Sequence, residues 1–345
     1  MEPTAINPAG LTGIEFVEFA APNPDQLHEL FLELGFSRTM RHASRPVDLY
    51  QQEGITFLVN RDPRSFASEF SAAHGPCICS MGWRVQDGAR ALLATRNRGA
   101  RAASGDHRTA EGSLPAIYGI GESLIYFVDG KHSWGELGYR PLERPDRVKS
   151  KGFFAIDHLT NNVAKGTLQT WSDFYKRVFG FTEVRYFDIR GVKTGLTSYA
   201  LRSPDGSFAI PINEADEAKS QINEYLAEYK GPGIQHLAFA TRDLLGSLDA
   251  LAGSRIQFLD IDADYYAEVF RRVPGVTEPH DRLARAQVLI DGDDQGYLLQ
   301  IFTRNLVGPI FIELIQRKNH ASFGEGNFSA LFRSIERDQM RRGVL

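Results

Sequence analysis

Cysteine is scarce in this chain: two among 345 residues, Cys77 and Cys79. One residue apart on an expected strand, they point to opposite faces, which argues against an intrachain disulfide. A C-x-C pair without nearby partners is also a poor zinc site. A reducing, cytoplasmic setting is the expectation. Long apolar runs are missing as well. None approaches the ~20 residues that span a bilayer, and the opening MEPTAINPAGLTG has no signal-peptide pattern. Nor is either charge in large excess: 39 Lys and Arg against 43 Asp and Glu leave a net charge of -4. Neither nucleic acid nor a membrane surface is therefore expected as a partner. What remains is ordinary globular composition, 42% hydrophobic and 24% charged, at a length suited to two domains.

The chain repeats itself imperfectly. GIEFVEFA (Gly13–Ala20) is followed by PDQLHELFLELGF, and AIDHLTNNV (Ala155–Val163) by LQTWSDFYKRVFGF. Each pair reads as a strand, then a helix closed by glycine, then a return into the next strand. HGPCICSMGWRV (His74–Val85) echoes KGPGIQHLAFAT (Lys230–Thr241). Four such openings predict an α+β fold of four βαβββ modules. The polar, Pro- and Arg-containing YRPLERPDRVKSKG (Tyr139–Gly152) reads as the connection between halves, so the expected division is a first domain at 1–139, a linker at 140–152 and a second domain at 153–345.

The repeat acts as an internal control on chemistry. In FAIDHLTNNV, His158 sits within an apolar strand pattern, where a lone imidazole is most often a satisfied core residue. Aligning the openings puts Phe16 where His158 stands, and Ser80 where His236 stands. Histidines demanded by the scaffold would occur in both halves, so the contrast favours function. In GPIFIELIQR, Glu313 is flanked by apolar residues on both faces of a strand, which costs several kcal/mol unless the carboxylate is paired with an arginine or a cation. Two imidazoles and one carboxylate suit a non-haem Fe(II) facial triad, although zinc or manganese would accept the same donors.

The second half resembles the 4-hydroxyphenylpyruvate dioxygenase family of the vicinal-oxygen-chelate superfamily. IDHLTNNV, RYFDIRG, GLTSYAL, IPINE, GIQHLAF, DADYYAEV, LLQIFT, IFIELIQR and FGEGNFSALFRSIERDQ carry the likeness, in order, from Phe154 to Gln339. The first half is similar through GIEFVEFA, HGPCICSMGWRV and LPAIYGIG; its stretch Leu92–Gly112 is the least family-like. The resemblance implies the vicinal-oxygen-chelate fold, with two open-barrel domains, the first non-catalytic, and a lid helix from about residue 327. It also implies one Fe(II) per subunit held by His158, His236 and Glu313. The implied reaction converts 4-hydroxyphenylpyruvate and O2 to homogentisate and CO2, in tyrosine and phenylalanine breakdown, without separate 2-oxoglutarate. A homodimer or homotetramer is implied as well.

For the pocket, the resemblance points to Gln300, Gln221, Asn213 and Ser198 as polar catalytic positions. Phe302, Phe311, Phe328, Phe332, Pro211 and Gln235 are the substrate-binding candidates. Strand alternation turns Gln235 away from the face of His236. The stripe Phe328, Leu331, Phe332, Ile335 has helical spacing, and Gly324 and Gly326 offer a hinge before it. Two other functions fit the same frame. One is 4-hydroxymandelate synthase, which differs by pocket shape; the other is a non-catalytic metal- or small-molecule-binding protein.

Overall fold

Each half opens on a strand rich in β-branched and aromatic side chains, followed by a helix that glycine ends. Gly180 closes the first helix of the second half in the left-handed region, at φ +79, where a Cβ would stand 2.0 Å from the carbonyl oxygen of Ile6. The computed structural model describes residues 6–104, 114–130, 132–190, 195–217 and 219–343. The least family-like stretch, Leu92–Gly112, is described only to residue 104; its remainder lies outside the described residues.

The first module runs β1 (Leu11–Ala20), α1 (Pro24–Glu33), β2 (Ser37–His42), β3 (Val47–Gln52) and β4 (Ile55–Asn60). Helix α2 (Phe66–His74) leads to β5 (Cys77–Val85), α3 (Gly88–Asn97), β6 (Ala116–Tyr118), β7 (Leu124–Asp129) and β8 (Tyr139–Asp146). The second half begins β9 (Phe153–Val163), α4 (Leu168–Phe179), β10 (Thr182–Arg190), β11 (Gly195–Arg202) and β12 (Ala209–Ala215). After α5 (Gln221–Tyr229) come β13 (Gly233–Thr241), α6 (Leu244–Leu251), α7 (Ala263–Arg272) and α8 (His280–Arg285). Strands β14 (Leu289–Gly292), β15 (Tyr297–Phe302) and β16 (Phe311–Lys318) precede the last helix, α9 (Phe328–Arg341).

These strands form two curled eight-stranded sheets, ordered β6-β7-β5-β1-β4-β3-β2-β8 and β10-β11-β12-β9-β13-β16-β15-β14. At each centre two module-opening strands pair antiparallel, β1 with β5 and β9 with β13. Each opening strand also pairs in parallel with a later strand of its own module: β1 with β4, β5 with β7, β9 with β12, β13 with β16. The polar stretch expected to be a linker differs from that reading. Its first part is β8, paired antiparallel with β2 at the sheet's edge. Only Tyr139 is fully buried there. An edge strand tolerates Pro141 and Pro145 and exposes charge, so it reads like a connection in sequence.

The halves share aromatic core. Trp83 on β5 meets Phe179, Phe181 and Phe208, with ring centroids 4.7, 5.9 and 5.5 Å away. Phe239 on β13 meets Phe36, Phe57 and Phe153 at 5.8, 5.9 and 5.3 Å. Each such buried ring contributes about 1.5–3 kcal/mol by its removal from water. Cys77 and Cys79 are buried free thiols. Among the described residues, no helix is long and apolar enough to cross a membrane.

Candidate metal centre

Three neighbouring strands bring the triad together. Ala238 on β13 is the partner of His158 on β9 in one direction and of Glu313 on β16 in the other. His236 lies two residues back along β13, on the same face as Ala238. The small Ala238 leaves room over which the longer side chains converge. The ligating atoms of His158, His236 and Glu313 lie within 4.8 Å of one another, and all three residues are buried. Glu313 Oε2 is 3.1 Å from His158 Nε2 and 3.6 Å from His236 Nε2.

The outward ring nitrogens are held as well. His158 Nδ1 is 2.8 Å from Asp157 Oδ1, and His236 Nδ1 is 3.1 Å from Gln235 Oε1. Acceptors at both Nδ1 atoms hold a ring proton there and direct both Nε2 atoms toward Glu313, so that once the extra proton between them leaves, each Nε2 offers the lone pair a cation requires. Glu313 Oε1 accepts from Gln300 Nε2 at 3.4 Å, so Oε2 is the oxygen left to face both rings. Burial disfavours the imidazolium of His158, yet the Glu313 and Asp157 carboxylates outweigh it and push its pKa up to about 9. Burial holds His236 below its ordinary value. Glu313, despite burial, is held below the carboxylate range by the facing imidazoles. A carboxylate and two oriented imidazoles, carrying one extra proton between them, fit a divalent cation that displaces it.

The first half fills the same positions differently. Phe16 pairs with Gly82 as His158 pairs with Ala238, and Gly82 in turn pairs with Tyr126 where Ala238 pairs with Glu313. The register thus gives Phe16, Ser80 and Tyr126 for the triad; Phe16 and Tyr126 lie in an apolar cluster with Leu49, Leu58 and Leu124, and Ser80 donates to the buried Glu18. The Phe16 ring occupies the space a Cβ at Gly82 would need, 2.3 Å from its Cε1. Among the described residues, the second-half triad is the one such group of metal-ligating side chains.

A cavity borders the triad, and the ten pocket candidates named from the sequence all line it. Ser198, Pro211, Asn213 and Gln221 form part of the wall, with Gln235 and Gln300 nearer the metal ligands' own strands. Phe302, Phe311, Phe328 and Phe332 supply aromatic surface, and Leu331 and Ile335 complete the stripe of α9. Ser198 and Asn213 are direct cross-strand partners.

Two comparisons of sequence bear on this arrangement. The family model for the N-terminal part of hydroxyphenylpyruvate dioxygenase matches residues 6–137, and that for the glyoxalase, bleomycin resistance protein and dioxygenase superfamily matches 155–300. The chain is 55% identical over 343 residues to protein MelA of Shewanella colwelliana, covering 98% of this chain and 99% of that one. To a 4-hydroxyphenylpyruvate dioxygenase of Pseudomonas aeruginosa it is 44% identical over 347 residues, covering 98% and 97%. The chain belongs to the 4-hydroxyphenylpyruvate dioxygenase family. Among solved structures, a fusion of a xylose isomerase-like TIM barrel with 4-hydroxyphenylpyruvate dioxygenase matches at a TM-score of 0.81 and 27% identity. That match covers 98% of this chain and 54% of the fusion.

Within this dioxygenase fold, Gln235 lines the cavity as the candidate list had it, although strand alternation alone pointed it away, and several residues were missed. Gln235 faces the cavity because the β9–β13 register shifts between Ile234 and His236. A bulge interrupts alternation and lets neighbours share a side. Asp157 escaped notice although it adjoins His158, as did Arg317, which binds it through Nε at 2.7 Å and Nη2 at 2.8 Å. Phe187 and Phe323 also line the cavity; both lie inside the quoted motifs RYFDIRG and FGEGNFSALFRSIERDQ, which was the available signal.

Proposed function

We propose that the protein is an Fe(II)-dependent 4-hydroxyphenylpyruvate dioxygenase that forms homogentisate and CO2 from 4-hydroxyphenylpyruvate and O2. The observation that carries this reading is the buried pair of oriented imidazoles and one carboxylate opening on an aromatic and amide-lined cavity, in a chain of this family. Fe(II), when bound, supplies chelation of the 2-oxo acid and activation of dioxygen, so no separate 2-oxoglutarate is required.

The chain's own side chains do the rest. Asp157 and Gln235 hold the ring planes of His158 and His236, and Gln300 holds Glu313. Asn213 lies four residues beyond Ala209, the strand partner of His158. At about 3.3 Å per residue the two rows stand about 13 Å apart, which side chains reaching from each end reduce to the span of an aryl keto acid. Ser198, Asn213 and Gln221 then meet the phenol hydroxyl, whose burial demands partners. Pro211, Phe302, Phe311, Phe328 and Phe332 hold the ring and keep water out while the side chain migrates. A reducing, cytoplasmic setting belongs to this reading, supported by the two free thiols.

Anaerobic titration of Fe(II)-loaded protein with 4-hydroxyphenylpyruvate is the test, followed by admission of oxygen and product analysis. A visible charge-transfer band and homogentisate are expected. 4-Hydroxymandelate as product would replace this reading with a benzylic hydroxylase. Absence of oxygen uptake would replace it with a binding protein.

A further inference from the structure

Arg317, on β16, lines no part of the triad's cavity, yet it is among the most fully bonded side chains near it. Four of its five N–H groups have acceptors. Nε and Nη2 grip the two carboxylate oxygens of Asp157, at 2.7 and 2.8 Å. Nη1 donates to two main-chain carbonyls, Ser322 at 2.5 Å and His320 at 3.1 Å. Asp157 Oδ1 is also the acceptor for His158 Nδ1. One unbroken run of charge-assisted bonds thus joins a ring of the triad to the backbone of the turn after β16.

That turn carries the approach to α9. Phe323 sets its ring edge-on to His158, centroids 5.5 Å apart. Gly324 follows at φ +80, pressed so close that a Cβ would stand 1.8 Å from Gln300 Oε1. Asn327 Nδ2 donates to that same oxygen at 3.1 Å, while the Gln300 amide nitrogen faces Glu313. The segment from His320 to Asn327 is therefore fastened to two of the three metal-ligating side chains.

We propose that Arg317 is a positioning residue that couples occupation of the metal centre to the order of the segment from His320 to Asn327, and so to the seating of α9 over the cavity. A cation is held more tightly by His158 when the ring plane is fixed at Nδ1, and Asp157 fixes it best while both its oxygens are gripped. The planar fork of arginine does that and, in the same plane, offers Nη1 to the turn; lysine has no such geometry. Coupling of this kind is reciprocal: what steadies the ring steadies the turn, and the converse. A plain structural ion pair would hold the turn equally with and without metal.

The proposal rests on the metal-centre reading above, and the experiment separates the two. Hydrogen exchange of peptides covering Asn319–Asn327 is measured anaerobically on the full chain, metal-free and saturated with Fe(II), beside an Fe(II) affinity measurement. In the unaltered protein Fe(II) should slow exchange there by roughly 5–150-fold, the ordinary span of coupling between sites. Arg317→Met should weaken Fe(II) binding roughly 10–100-fold and, once saturated, show no metal-dependent slowing in the segment. Arg317→Lys should behave like Arg317→Met despite its charge. Asp157→Asn, which keeps an acceptor for His158 but weakens the fork, gives the same readout should Arg317→Met not fold. Unaltered metal-dependent protection in these variants, or full rescue by lysine, overturns the proposal alone. An unaltered protein that binds no Fe(II) overturns the functional reading with it.

Discussion

Truncation of Phe332 to alanine separates a packing role from a catalytic one. Phe332 is 3% exposed and packs with Ile189, Leu196, Ala215 and Ile222, while another part of its ring borders the cavity. In a fully enclosed core, Phe→Ala costs about 3–5 kcal/mol. Here part of the ring faces the substrate space and loses no protein neighbours, so the expected cost is about 2 kcal/mol. At about 2–4 °C per kcal/mol for a unit of this size, the melting temperature should fall by roughly 4–8 °C. Iron content should stay near wild type, since none of the triad's hydrogen bonds passes through Phe332. The damage should appear in coupling: a substrate ring held loosely, with water admitted, consumes oxygen without matching homogentisate. An oxygen electrode, homogentisate chromatography and a thermal melt on one preparation decide it. One homogentisate per O2 together with a melting temperature lowered far beyond that range would refute the catalytic role and leave Phe332 as core.

Glu313→Gln, His158→Ala and His236→Ala should each lose stoichiometric iron and turnover by metal analysis and oxygen uptake, whereas Ser80→Ala in the first half should keep both; wild-type activity and iron in the Glu313→Gln protein would sink the ligand assignment. Stripping the metal with a chelator should lower the melting temperature, since a ligand present at about a hundred times its Kd stabilises by about 2.7 kcal/mol, and calorimetry with and without Fe(II) measures it. Glu18, buried beside Ser80 and Asn60, has its pKa raised by burial above 4.5 despite those hydrogen bonds. The folded state therefore holds a proton that the unfolded state releases, and stability falls as pH rises from about 4.5 through the raised value. Melts of Glu18→Gln against wild type across that window should show a steeper decline in wild type, and parallel profiles would refute the assignment.

Much of the site was legible because the chain carries its own comparison. Phe16 and Ser80 stand where His158 and His236 do, and the strand registers bear out that equivalence. The aromatic stripe of α9 was visible from its spacing, though spacing alone does not say whether a stripe meets core or cavity. Three features resisted reading for physical reasons. Gln235 depends on a register shift, which alternation patterns cannot register. β8 is an edge strand whose exposed side chains resemble those of a connection. The Asp157–Arg317 fork joins residues 160 positions apart, and its partners become apparent only when β9 and β16 flank β13.

The Phe16 ring lying against Gly82 has a consequence for ancestry. If the two halves descend from one duplicated module pair, the first has closed the route back to metal binding. Restoring a triad there would require new residues at positions 16, 80 and 126 together. An imidazole replacing Phe16 alone would sit among Leu49, Leu58 and Tyr126, and the buried carboxylate two residues along β1, Glu18, is already held by Ser80 and Asn60. Any enlargement of Gly82 would collide with the ring before that ring was removed. While the Phe16 ring stands, Gly82 is thus held small, and the first half is kept as a packed scaffold beside its metal-binding twin.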